Sequence, residues 1–123
     1  VRNDIVGHAW AAAKRKAYQN AGWEVIPEVS INILGPDGKP TGRKSILDAV
    51  LKSKDGKEIR YKEFKSSQTA ETTGRQKEVY PMLEKGDLSR LKPTGENAER
   101  AFGGPDMPGF RPGQVDIERP PTL

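Results

Sequence analysis

Cysteine is absent from this chain, so no disulfide staple, thiolate nucleophile or cysteine zinc site is available. Histidine occurs once, at His8, and without a partner it is read as structural or incidental rather than catalytic. Apolar residues are also scarce, at 33% of the chain, and no apolar run approaches the roughly 18 residues of a membrane span. The N-terminus lacks the charged-then-apolar layout of a signal peptide. It begins at Val1 rather than Met, which suggests a piece excised from a longer protein or a processed end.

What is present sets the outer bounds. A length of 123 residues fits one domain with a modest core. Gly 13 and Pro 10 make nearly a fifth of the chain, so part of it must be loop. Lys+Arg 21 against Asp+Glu 17 gives a net charge of +4 and a pI near 9.4, a balance that suits a polyanionic partner. No internal repeat is visible.

In chain order, Trp10, Ala13, Ala17 and Ala21 recur at helical spacing, predicting a helix from about His8 to Ala21 that Asn20 and Gly22 stop. Trp23, Val25, Val29, Ile31 and Ile33 then alternate with Glu24, Glu28, Ser30 and Asn32, predicting a strand over 23–34 that bends at Pro27. The turn-rich Gly35–Pro40 segment reverses the chain into strands over 44–53 and 57–66. Thr72 or Thr73 caps a following helix with an inner stripe of Gln76, Val79, Tyr80 and Leu83, which Pro81 should kink or shorten after Tyr80. From Pro93 onward six prolines and five glycines predict an irregular arm, with a short strand within Gln114–Arg119. The expected organisation is thus a core over 1–92 and a Gly/Pro-rich arm over 93–123.

Chemistry concentrates in the second and third strands. Asp-Gly between two apolar-rich runs is a strong hairpin signal, since a type I′ turn needs positive φ at both central residues. With Asp55 and Gly56 as the loop, the numbers of cross-strand partners sum to 111 and Asp48 sits opposite Glu63. Period-two alternation puts Lys65 on the face of Glu63. Asp48 lies in the apolar run Ile46-Leu47-Asp48-Ala49-Val50-Leu51, the pattern of a central strand covered on both sides, where an ionisable group is costly unless it is used. Facing carboxylates repel each other, and a hard divalent cation with oxygen ligands would offset that repulsion. An acid, any residue, then Lys occurs three times, at Asp37-Gly38-Lys39, Asp55-Gly56-Lys57 and Glu63-Phe64-Lys65, and only the third lies in a strand.

Taken in order, Ile46-Leu47-Asp48, Glu63-Phe64-Lys65 and Gln76-Lys77-Glu78-Val79-Tyr80 resemble the motif series of the PD-(D/E)xK nuclease superfamily, with the Gln-x-x-x-Tyr element similar to its RecB-type branch. The resemblance spans about Gly7 to Leu83. It implies an α/β (α+β) fold, with a restriction-endonuclease-like mixed central sheet flanked by helices. It further implies Mg²⁺ or Mn²⁺ held by Asp48, Glu63 and the main-chain carbonyl of Phe64. Lys65 would then act on the attacking water or stabilise charge, and Gln76 and Tyr80 would orient the site. Many members carry a further Glu on the first helix. This helix has none, leaving Asp4, His8, Glu24 or Glu28 to substitute, with Glu28 preferred as an added metal ligand. Lys14, Arg15, Lys62, Arg75 and Lys77 are the candidate nucleic-acid contacts.

The layout, together with Gln76–Gly86, also resembles the C-terminal toxin modules of bacterial polymorphic toxins. That implies a secreted or delivered DNase effector acting in the cytoplasm of a target bacterial cell, neutralised by an immunity protein of acidic character. The alternatives are a repair or restriction-type nuclease, and a noncatalytic nucleic-acid-binding module that keeps the fold.

Overall fold

A computed structural model describes residues 2–65 and 67–121, with side chains from His8 onward. Asp4 as a substitute ligand, and Ser66 as the end of the third strand, fall outside the described side chains and residues. Helix α1 (Arg2–Asn20) begins earlier than its alanine spacing predicts. Its inward side differs in part: Trp10 packs on the sheet as its spacing predicts, joined by Ala11 and Tyr18, while Ala13, Ala17 and Ala21 are exposed. Aromatic rings remove more apolar area from water than alanine methyls do, so the Trp10 and Tyr18 face wins. Trp10 meets Phe64 edge-on at 5.9 Å. Gly22, at φ +103°, turns the chain out of the helix, in a conformation that a side chain would strain.

Strands β1 (Glu24–Leu34), β2 (Pro40–Lys52), β3 (Ile59–Phe64), β4 (Leu91–Thr94) and β5 (Val115–Glu118) form one five-stranded mixed sheet, ordered β4-β1-β2-β3-β5. The β1–β2, β2–β3 and β1–β4 pairs are antiparallel, and β3–β5 is parallel. Helix α1 covers one face over Val25, Ala49, Leu51 and Phe64. Helices α2 (Gly74–Lys85) and α3 (Glu96–Phe102) cover the other, over a larger core that includes Ile26, Val29, Ile31, Leu47, Val50 and Tyr61.

The β2–β3 register is the expected one: Ala49 faces Lys62 and Val50 faces Tyr61, again summing to 111. The turn is longer, however. Ser53 N donates to Glu58 O at 3.0 Å, which closes a four-residue loop, Lys54–Lys57, in place of a two-residue one. Ser53 and Asp55 side chains take up the main-chain donors of Glu58 and Lys57. Lengthening the loop by one residue on each side leaves the register untouched.

The first strand does not keep one phase. Trp23 and Val25 face α1, whereas Val29, Ile31 and Ile33 face α2 and α3. The switch occurs at Glu28, whose φ of +49° breaks the alternation just after Pro27. β2 switches in the same row: Leu47 and Val50 share the α2 side, with Ala49 on the other.

Helix α2 is capped by Thr73 and buries Gln76, Val79, Tyr80 and Leu83. It runs past Pro81 to Lys85, so proline does not end it. Pro81 is exposed, so the carbonyl left without a donor is on the solvent side, where water can serve it. Past residue 93 the chain is more regular than its proline and glycine content predicts. β4 crosses the expected boundary at 92/93, α3 packs on β1, and β5 closes the far edge of the sheet.

Candidate active site

The ladder between β2 and β3 stops one pair short of Asp48 and Glu63. Asp48 Oδ2 instead accepts a hydrogen bond from the main-chain N of Phe64 at 2.7 Å. A side-chain oxygen thus replaces a main-chain carbonyl where the two strands part, and this fixes the carboxyl at their fork. Pro27 faces Ala49 and Val29 faces Leu47, so Glu28 lies opposite Asp48 on the other side. Three carboxyl-bearing positions, Glu28, Asp48 and Glu63, therefore form a row across β1, β2 and β3.

Glu63 and Lys65 point toward α2, where Gln76 bridges them. Gln76 Nε2 donates to Glu63 Oε2 at 2.7 Å, and Gln76 Oε1 accepts from Lys65 Nζ at 2.6 Å. The same Oε1 accepts from Thr73 N at 2.9 Å, and Thr73 Oγ1 accepts from Gln76 N, completing a capping box. The residue that starts α2 is thus also the one that connects the acid to the lysine. One turn later, the Tyr80 hydroxyl donates to the same Glu63 oxygen. Glu63, Lys65 and Gln76 are 5%, 7% and 8% exposed, and among the described residues no buried side-chain nitrogen or oxygen lacks a partner.

Burial pushes the Glu63 carboxyl up to about 8, helped by the hydrogen-bonded Asp48 carboxyl and opposed by the Tyr80 hydroxyl and Lys65. Burial and the Glu63 carboxylate hold the Tyr80 phenol far above its ordinary range, so it stays a donor. Two neighbouring carboxyls present hard oxygen atoms of the kind a divalent cation prefers. They open onto a cavity of about 690 Å³ whose walls include His8, Arg15, Glu28, Phe64, Lys65 and Glu71. Among the described residues no group of three or more His, Asp or Glu side chains converges tightly enough to hold a metal ion. Asp48 and Glu63 line the cavity together, with Glu28 next along the row. His8 lies on the cavity wall, while Glu24 is paired elsewhere, with Arg100 at 3.7 Å.

The candidate nucleic-acid contacts divide. Arg15 lines the cavity, and Arg75 and Lys77 are exposed on α2. Lys62 is 6% exposed and pairs with Asp116 at 3.1 Å and Glu118 at 3.2 Å, so it anchors β5 instead of facing solvent. Burial works to lower its pKa, and the bonds to Tyr18, Asp116 and Glu118 outweigh that and raise it. Lys14 joins the same cluster through Glu118 at 3.1 Å. Glu71, on the cavity wall, carried no sequence signal beyond its polar surroundings. The loop it belongs to is pinned by Arg119, which donates to the carbonyls of Ser67 and Ala70 at 3.1 and 2.6 Å. Among the described residues no helix is long and apolar enough to cross a membrane. No family model, curated protein or solved structure matches this chain.

Proposed function

We propose that this chain is a metal-dependent nuclease of PD-(D/E)xK type, with a restriction-endonuclease-like fold, that hydrolyses phosphodiester bonds of DNA. The observation that carries the reading is the continuous chain from Asp48 through Glu63 and Gln76 to Lys65 at the mouth of a cavity. Asp48, Glu63 and the Phe64 carbonyl would hold Mg²⁺ or Mn²⁺, which when bound supplies Lewis-acid polarisation of a phosphate oxygen. Asp48 is oriented by the Phe64 amide, so its second oxygen is left for other partners. Burial favours the protonated form of Glu63, so holding a cation there would require the loss of that proton. Lys65, fixed by Gln76, presents a preorganised ammonium that stabilises charge developing on the phosphate or aligns the attacking water. Tyr80 keeps Glu63 in one rotamer. The basic balance of the chain, +4, favours a polyanionic substrate.

The biological setting we infer is that of an antibacterial toxin module, delivered into a target cell and masked by an acidic immunity protein, with capture speeded by charge complementarity. Plasmid cleavage tests the chemistry. The parent should nick DNA with Mg²⁺ or Mn²⁺ and stop in EDTA, while Asp48→Ala, Glu63→Ala and Lys65→Ala each lose at least about a hundredfold in rate with unchanged circular dichroism. Folded variants that cleave at the parent rate would sink the assignment. Co-expression with a small acidic protein encoded beside it, and survival of the host, tests the setting.

A further inference from the structure

Beyond the phase switch at Glu28 and Asp48, the sheet has one buried and one open face. Val29, Ile31, Ile33, Leu47, Leu91 and Pro93 are buried on the α2 side. Their alternating neighbours therefore project to the α1 side, where Lys44, Ile46 and Lys92 are exposed and Ser30, Asn32 and Thr94 are half-buried. The strand registers order them in two rows, Thr94–Ser30–Ile46 and Lys92–Asn32–Lys44, each crossing β4, β1 and β2. The next row toward the site is Glu28 and Asp48.

The composition of these rows is specific. No acid occurs in either, and two lysines flank an asparagine in the outer one. Among the described residues, none of the five polar side chains makes a hydrogen bond or ion pair with another residue. Ile46, 44% exposed, is one of only two large hydrophobic residues that are exposed among those described. Lysines elsewhere on the sheet behave differently, since Lys62 is consumed by Asp116 and Glu118. The open face runs directly into the cavity, where Glu28 and Pro27 form part of the wall.

From this arrangement we infer that the open face formed by Ser30, Asn32, Lys44, Ile46, Lys92 and Thr94 is the track on which a nucleic-acid strand lies as it enters the site. The inference deepens the nuclease reading and rests on it for the identity of the ligand. Strand spacing places Lys44 and Lys92 roughly 10 Å apart across β1, and the four residues from Lys44 to Asp48 cover about 13 Å. That length matches about four nucleotide steps of a duplex axis, so both lysines reach phosphates on one side of the scissile bond. Ser30, Asn32 and Thr94 offer hydrogen bonds to sugar and phosphate oxygens. Ile46 gives an apolar rest for a sugar or base. These contacts position the strand without reading its sequence.

Fluorescence anisotropy with a labelled 20-residue oligonucleotide, single-stranded and duplex, in EDTA, reads binding separately from cleavage. Lys44→Gln/Lys92→Gln should weaken binding about tenfold at moderate salt and reduce the slope of log K against log salt by about 1.4–1.8. Lys54→Gln/Lys57→Gln, in the loop at the opposite end of β2, should leave both unchanged. Equal loss in the two double variants would reduce the effect to net charge and overturn the inference. So would unchanged binding in Lys44→Gln/Lys92→Gln, even if the protein cleaves DNA normally. A protein that binds through Lys44 and Lys92 but cleaves nothing in Mg²⁺ or Mn²⁺ supports the track and fails the nuclease reading instead.

Discussion

Gln76 does two jobs with one amide. Its oxygen caps α2 and accepts from Lys65, while its nitrogen holds Glu63. Replacing it with alanine removes one of two donors to the buried Glu63 carboxyl, takes the acceptor from the buried Lys65 and opens half of the capping box. The cost expected for Gln76→Ala is about 2–3 kcal/mol in urea denaturation, larger than for an isolated surface cap. Glu63 gives a separate handle through pH. Its folded-state pKa, about 8, lies above the ordinary 4.5, so the folded state binds the proton more tightly than the unfolded chain. That stabilisation is complete below about pH 4.5 and is lost as pH rises through 8. Melting temperatures in EDTA should therefore fall between these limits, and Glu63→Gln should flatten the decline. A parent curve with no slope in that window would show that Glu63 titrates normally.

The same residues explain what local pattern reveals. Gln76, Val79, Tyr80 and Leu83 were legible because helical spacing and a Thr cap fix which face turns inward, whatever that face meets. Asp48 and Glu63 were legible because an Asp-Gly turn sets the register. The loop proved two residues longer, yet symmetric lengthening preserves the pairing. What could not be read was the phase switch at Glu28. It needs a positive φ at a glutamate, which no residue preference announces and which the surrounding sheet must impose.

Elements show a different balance. β5, the short strand expected within Gln114–Arg119, is the parallel partner of β3, a pairing its sequence does not announce, and delivers Glu118 to Lys62, Lys14 and Tyr18. Glu118 O also accepts from Lys65 N at 2.9 Å, so this strand sets the main chain of the site lysine. Burial works to raise the Glu118 pKa, and the bonds from Tyr18, Lys14 and Lys62 outweigh it and hold the carboxyl below its ordinary value. Glu118→Ala removes all three and should cost about 2 kcal/mol. Asp116→Ala removes one half-exposed partner of Lys62 and should cost less than about 1 kcal/mol. Equal effects in urea denaturation would mean that the cluster does not hold β5 through Glu118. Helix α1 teaches the complementary lesson: alanine spacing suggested its inner face, and the larger apolar area of Trp10 and Tyr18 decided it.

For the molecule as a whole, cation binding and stability are linked. A ligand that binds only the folded state stabilises by about 2.7 kcal/mol at a hundredfold excess over its dissociation constant. Saturating Mg²⁺ or Mn²⁺ should therefore raise the melting temperature by several degrees at pH 8, EDTA should reverse it, and Asp48→Asn should abolish it. A parent protein indifferent to both cations would count against the metal assignment independently of any cleavage assay.

By itself the sequence determined the local pieces: the Thr-capped helix, the hairpin register, and the acid, acid, lysine and glutamine that those pieces carry. Each follows from periodicity or turn chemistry acting over a few residues. Only the tertiary structure decided which pieces meet. β4 and β5 took the two edges of the sheet and α3 packed on its apolar face because those surfaces needed partners, despite a proline content that argues locally for loop. The open row of Lys92, Asn32 and Lys44 exists only because three strands distant in sequence align beyond a phase switch. Contacts of that kind depend on which surfaces remain unburied once all the others have packed, and no short stretch of chain contains that information.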